Sequence, residues 1–140
     1  MKKLQDFAAF VVLVHCLVFG VDFYAHQRVD LAVAVTFNIF SFATIGLPSI
    51  IAGFLLWTNY QRWGAIVLFA GMALAFILNV YSRFIEVRYI IHPFDYEPFW
   101  DTVFRVSTVL LLAVEILGSY LGLRLVRSVA PASASAASRS

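Results

Sequence analysis

Residues 106–126 read VSTVLLLAVEILGSYLGLRLV, an apolar stretch with one acid, Glu115, at its centre. About 20 residues rising ~1.5 Å each cross a ~30 Å hydrocarbon core. The stretch therefore reads as a transmembrane helix with a carboxyl group at mid-depth. The rest of the chain agrees. Of its 140 residues 62% are apolar and only 13% charged, against ~45–50% and ~25% in a typical soluble domain. A fold this small has too little interior to hide so much apolar surface from water. The solvent is lipid, which excludes an ordinary cytosolic enzyme, a nucleic-acid module and a disordered chain.

Three more spans are predicted. The first covers 5–24. Met1-Lys2-Lys3 followed by Phe7–Gly20 imitates a signal peptide, but no A-x-A-like cleavage site comes after it, so the segment is read as uncleaved. The second run, Leu31–Thr58, has 28 residues without a charge. That is long for one crossing and short for two, and Gly46 with Pro48 predicts a kinked or tilted helix. The third covers 63–82, with a helical continuation towards Tyr89 at the interface. Pro93 and Pro98 end that continuation. The fourth covers 106–126, and its helix starts earlier if Pro98 occupies the first turn, with Asp101 near the positive end of the dipole. Residues 1–128 thus form one transmembrane domain. Residues 129–140 form an Ala/Ser-rich tail expected to be disordered.

The expected fold is all-α: an integral membrane, antiparallel four-helix transmembrane bundle. The positive-inside rule orients it. With both termini inside (N-in/C-in), the inner segments hold Lys2, Lys3, Arg62, Arg124, Arg127 and Arg139, and the outer ones hold Arg28, Arg83, Arg88 and Arg105. Tyr24, Trp57, Tyr60, Trp63, Tyr81, Tyr89 and Trp100 fall near the span ends, as an aromatic belt would. The protein is expected to be multi-pass in a cell membrane, the inner (plasma) membrane if bacterial.

Polar groups inside the spans carry the information, because an ion at the bilayer centre costs ~2.5 kcal/mol or more and turns to the bundle interior. Glu115 shares a face with Gly118, Ser119 and Gly122. The Gly118/Gly122 spacing lets another backbone approach closely. His15 lies midway along the first span, with Asp22 and His26 on the same face. First and last helices of an up-and-down bundle are commonly neighbours, so His15 and Glu115 are predicted to face each other. Nearer the outer side, Asn38, Ser41 and Ser49 form a stripe on the second span. Gly71, Ala75 and Asn79 form a ridge of small residues on the third. Asp22, Asn38 and Asn79 come out at similar depth, implying a polar interior that widens outward. The competing reading of Asn38 and Asn79 is helix-to-helix glue, and that of His15 and Glu115 is a structural buried bridge.

Other chemistry finds little footing. His26, His92 and Asp95 are metal-ligating types on one side, but no HExxH or paired-Cys spacing accompanies them, and a solvated face is the favoured reading. No cofactor is expected: a bis-His haem needs two central histidines, and only His15 is central. Cys16, the sole cysteine, lies in an apolar run where a thiol is inert. The leading expectation is a non-enzymatic helix-packing or accessory membrane protein, with the lipid bilayer, a partner membrane protein or a second copy as its contacts and no nucleic acid. One alternative is a small proton- or cation-coupled transporter using Glu115. Another is a membrane redox or lipid-modifying enzyme with an outward-facing polar cavity.

Overall fold

A computed structural model of the chain describes residues 2–29, 39–86 and 98–129. Of these, 96% are helical and none is in a strand, so the protein is all-α. Helix α1 spans Lys2–Val29. Helix α2 spans Ile39–Leu56. Helix α3 spans Gln61–Val80 and continues as π-helical turns over Tyr81–Glu86. Helix α4 spans Pro98–Val129. All four are long and apolar enough to cross a membrane. Pro98 opens α4 and Asp101 lies in its first turn, where a missing N–H is harmless and a carboxylate meets the helix dipole. Residues 31–38 of the expected second span, including Asn38, lie outside the described residues, as do His92, Asp95, Tyr89 and positions 130–140 of the expected tail.

The irregularity in α2 has a local cause. Pro48 has no N–H to donate, and its ring would clash with the carbonyl four residues back. The chain widens into π-helical turns over Phe42–Gly46, and the Leu47 N–H bonds the Phe42 carbonyl. Side chains meet other carbonyls: the Thr44 hydroxyl donates to Phe40 O at 2.7 Å and the Ser49 hydroxyl to Ile45 O at 3.1 Å. Where a kinked or tilted helix is expected around Gly46 and Pro48, the described chain shows a local widening one turn earlier.

Helix α4 packs against both α1 and α3, and α2 packs against α3 and α1. Glycines decide how closely. A Cβ on Gly122 would lie 2.6 Å from Phe69 N, and one on Gly118 would lie 2.8 Å from Met72 Cγ. On α3, a Cβ on Gly71 would lie 2.9 Å from Pro48 Cβ, while Ala75 is wholly buried. Below this level Ala8, Val11, Val12, Ala52, Leu56, Ala65, Leu68, Met72, Leu121 and Leu125 form one closed apolar cluster. At the same end the Gln5 amide donates to Gln61 Oε1 at 2.5 Å. Outward faces are apolar as well: Phe10, Leu13, Leu17 and Val21 on α1 are all exposed. A helix that is apolar outside and polar within suits lipid and not water. Trp57, Tyr60 and Trp63 stand exposed at the α2–α3 turn, and Tyr24 meets Trp100 edge-on at the opposite end.

Gly122→Ala is expected to lose about 1–3 kcal/mol of stability, because the new methyl meets backbone atoms that cannot step aside. Gly20→Ala is the control, since a Cβ there meets nothing within 4 Å. Thermal unfolding in detergent micelles should lower the midpoint for Gly122→Ala alone.

Candidate functional site

Two polar layers occupy the interior above the apolar cluster. The lower one joins three helices. His15 on α1 and Glu115 on α4 are wholly buried, and His15 Nε2 lies 3.5 Å from Glu115 Oε1. The two groups meet, as their depths and faces predict. Asn79 on α3 donates its amide to the same Glu115 Oε1 at 2.6 Å. The glycines explain this geometry: with Met72 against Gly118 and Phe69 against Gly122, α3 stands close enough for a short amide to span the gap. Glu115 Oε2 and both ring nitrogens of His15 have no hydrogen-bond partner among the described residues. Phe19 stacks on His15 with ring centroids 6.3 Å apart.

The upper layer is an ion pair. Arg83 Nη2 donates to Asp22 Oδ2. Arg83 Nη1 donates to the Thr108 hydroxyl at 2.5 Å, and that hydroxyl donates to Phe104 O at 2.7 Å. The Ser107 hydroxyl reaches Asp22 Oδ1 at 2.9 Å. The guanidinium lies over the Phe104 ring, 4.6 Å from its centroid. A charge taken out of water needs both an opposite charge and filled hydrogen-bond positions, and α1, α3 and α4 each supply part of the answer.

One expectation is corrected. Asp22 and Asn79 do not share a layer: Asn79 joins Glu115, and Arg83 takes the place beside Asp22. Asn79 and Arg83 stand one turn apart on α3, so the amide serves the lower layer and the longer guanidinium the upper. The sequence reading places Arg83 in an outer segment because it lies just past the charge-free run. A signal for its inward role is present, since it extends the Gly71-Ala75-Asn79 ridge by four more residues. Ser107 and Thr108 likewise escape a reading from sequence. Thr108 lies seven residues before Glu115, on its face. Ser41 and Ser49, the described part of the α2 stripe, separate: Ser49 is buried on its own backbone, and Ser41 borders a cavity.

That cavity, about 290 Å³, lies above the Glu115 layer among α1, α2 and α3, with Phe104 of α4 at its edge. Asp22, Asn79, Ser82 and Arg83 contribute its polar wall; Phe19, Phe23, Ile45 and Leu78 contribute apolar wall. Small-molecule sites have this character, mostly apolar with a few placed polar groups. Among the described residues no group of three or more His, Cys, Asp and Glu could hold a metal ion. His26 packs its ring on Phe104 at 5.4 Å.

Removing one half of the ion pair should be severe. Asp22→Ala is expected to cost about 3–5 kcal/mol, because Arg83 is left charged and unpaired. The double variant Asp22→Leu/Arg83→Met should recover much of that loss. Chemical unfolding of the three proteins in one detergent measures the difference.

The chain matches no protein-family model, no curated protein and no solved structure, so its function is argued from the site's own chemistry.

Proposed function

We propose that the chain is a small proton- or cation-coupled membrane carrier with Glu115 as its exchanging group, and with the proton as the ion that its apolar walls favour. One observation carries the reading. Asn79 bonds Glu115 Oε1 at 2.6 Å and also lines the cavity. Whatever enters the cavity is one side chain away from the carboxyl. In a low-dielectric site a His–Glu pair is best tolerated when neutral overall, as carboxylate with imidazolium or as carboxyl with imidazole. Taking one proton from the cavity side converts carboxylate with neutral imidazole into either of those neutral forms, and giving the proton up reverses the step. The apolar cluster beneath closes the opposite end. A cavity with polar wall on one side of the pair and a packed apolar cluster on the other give Glu115 two different surroundings, the asymmetry that one state of a carrier has.

The reading includes an antiparallel bundle with N-in/C-in orientation. Pairings support the first part: His15 meets Glu115 while Asp22 meets Thr108, so numbers rise along α1 as they fall along α4. The basic residues counted from the sequence support the second. The cavity then faces the outer half of the membrane. Alkaline phosphatase fused after Ser140 should be inactive, and fused after His92 it should be active.

An accessory, helix-packing role is the second reading. An apolar groove of about 380 Å³ between α1 and α4, lined by residues such as Leu17, Val21, Phe99 and Val106, favours it. Its main support in the sequence is weakened, because Gly118 and Gly122 are engaged with α3 inside the chain.

The test is proton movement in proteoliposomes carrying a pH-sensitive dye, driven by an acid pulse. Wild type should acidify the lumen, Glu115→Gln should abolish the response, and His15→Ala should slow it at least tenfold. Equal responses from wild type and folded Glu115→Gln would refute the carrier reading and leave the accessory role.

A further inference from the structure

We infer that the end of the bundle beside the apolar cluster is a docking surface for anionic phospholipid headgroups, held by Lys2, Lys3, Arg62, Arg124 and Arg127. The inference is independent of the carrier reading.

These cations are scattered along the chain, and the fold gathers them. Gln5, near the first two, donates to Gln61, next to the third. Leu4, Ala65, Leu125 and Val126, which flank the five, belong to the apolar cluster or pack against it. All five side chains are exposed. Among the described residues Asp6 is the one acid at this end, and none of the five cations forms an ion pair. The opposite end differs. There Arg83 pairs with Asp22, and Arg105 Nε lies 2.8 Å from Asp101 Oδ2. At that end the chain supplies counter-charge itself; beside the apolar cluster it does not.

Depth identifies the source. Lys3 and Arg127 each lie twelve residues from the His15–Glu115 layer, about 18 Å along an α-helix. A hydrocarbon core centred on that layer ends after about 15 Å, and headgroups fill the next few ångströms. The two cations therefore stand at the level of the phosphates. Arg124, nearly one turn closer to the centre, lies over the Tyr120 ring, 5.7 Å from its centroid, and its long side chain reaches towards the same level. Exposed Trp57, Tyr60 and Trp63 mark the interface at this end. A zwitterionic headgroup brings its own ammonium, whereas a net-anionic one leaves its phosphate charge to the protein. Clustered Lys and Arg beside a span therefore favour the anionic lipid.

The tryptophans serve as reporters: Trp57 and Trp63 at the basic end, Trp100 at the other. Trp100→Phe leaves the basic end alone fluorescent, and Trp57→Phe/Trp63→Phe leaves the opposite end. Each variant enters phosphatidylcholine nanodiscs holding a minor share of lipid brominated on its acyl chains, either phosphatidylglycerol or phosphatidylcholine. Bromine quenches indole fluorescence on contact. At equal bromolipid content, phosphatidylglycerol should quench the basic end roughly twice as strongly as phosphatidylcholine or more. The opposite end should be quenched equally by both. Sodium chloride at ~1 M, where the screening length is only about 3 Å, should remove the excess. Replacing all five cations by Gln in the Trp100→Phe background should remove it too. Exchanging chloride for inorganic phosphate at equal ionic strength should leave it unchanged. Equal quenching by the two lipids at the basic end, or the same excess at both ends, overturns the inference. So does an excess that survives high salt or the folded five-site variant. Loss of the excess in phosphate assigns the cations to a soluble anion and overturns the lipid assignment. The salt arm needs no change to the five cations, so it decides even if the five-site variant does not fold.

Discussion

A carboxyl group wholly buried in a helix that crosses a membrane has no water to turn to, and its neighbours must complete its hydrogen bonding. Glu115 sets that demand here, and the contacts among α1, α3 and α4 meet part of it. His15 approaches from one side and the Asn79 amide from the other. Neither reaches Glu115 unless the helices stand close, and they stand close because Gly118 and Gly122 offer α3 a surface without side chains. Lipid gives no hydrophobic drive for helices to associate, so close van der Waals packing and buried polar contacts supply the cohesion. In this chain the two sources occupy one face of α4.

Polar satisfaction is graded along the bundle. At one end the interior is a cluster of buried apolar side chains. At mid-depth the Glu115 layer is only partly satisfied, with Glu115 Oε2 and both His15 nitrogens lacking partners among the described residues. Beyond it, the Asp22–Arg83 pair is bonded to α4 through Ser107 and Thr108. Neither layer fills every hydrogen-bonding position, because Arg83 Nε also lacks a partner among the described residues. The cavity lies between these layers on the α2 side, where the π-helical turns of α2 and those that extend α3 both depart from regular winding. Such turns commonly mark functional positions, and here the second set carries Arg83 itself.

Much of the fold is legible in the sequence because lipid imposes a simple rule: each crossing needs about 20 apolar residues in a helix. Four such runs are visible, and so is the start of α4 at Pro98. The meeting of His15 with Glu115 is legible too, from depth and helical face alone. Arg83 is harder to see. A charge just past an apolar run ordinarily reads as a loop or interface residue, and only the continuation of the small-residue ridge hints otherwise. Ser107 and Thr108 are hidden for a different reason: hydroxyls in a span usually bond their own backbone, and theirs serve Asp22 and Arg83 as well.

The sequence by itself determined the solvent, the number of crossings and the location of the costliest buried group, because those depend on composition and on the 3.6-residue period. Only the tertiary structure decided which polar groups share a layer. That choice depends on side-chain reach across gaps of a few ångströms, and those gaps are set by where glycines let helices touch. The packing gives Asn79 to Glu115 and Arg83 to Asp22 on that basis, and the cavity between the layers is a consequence of the same contacts.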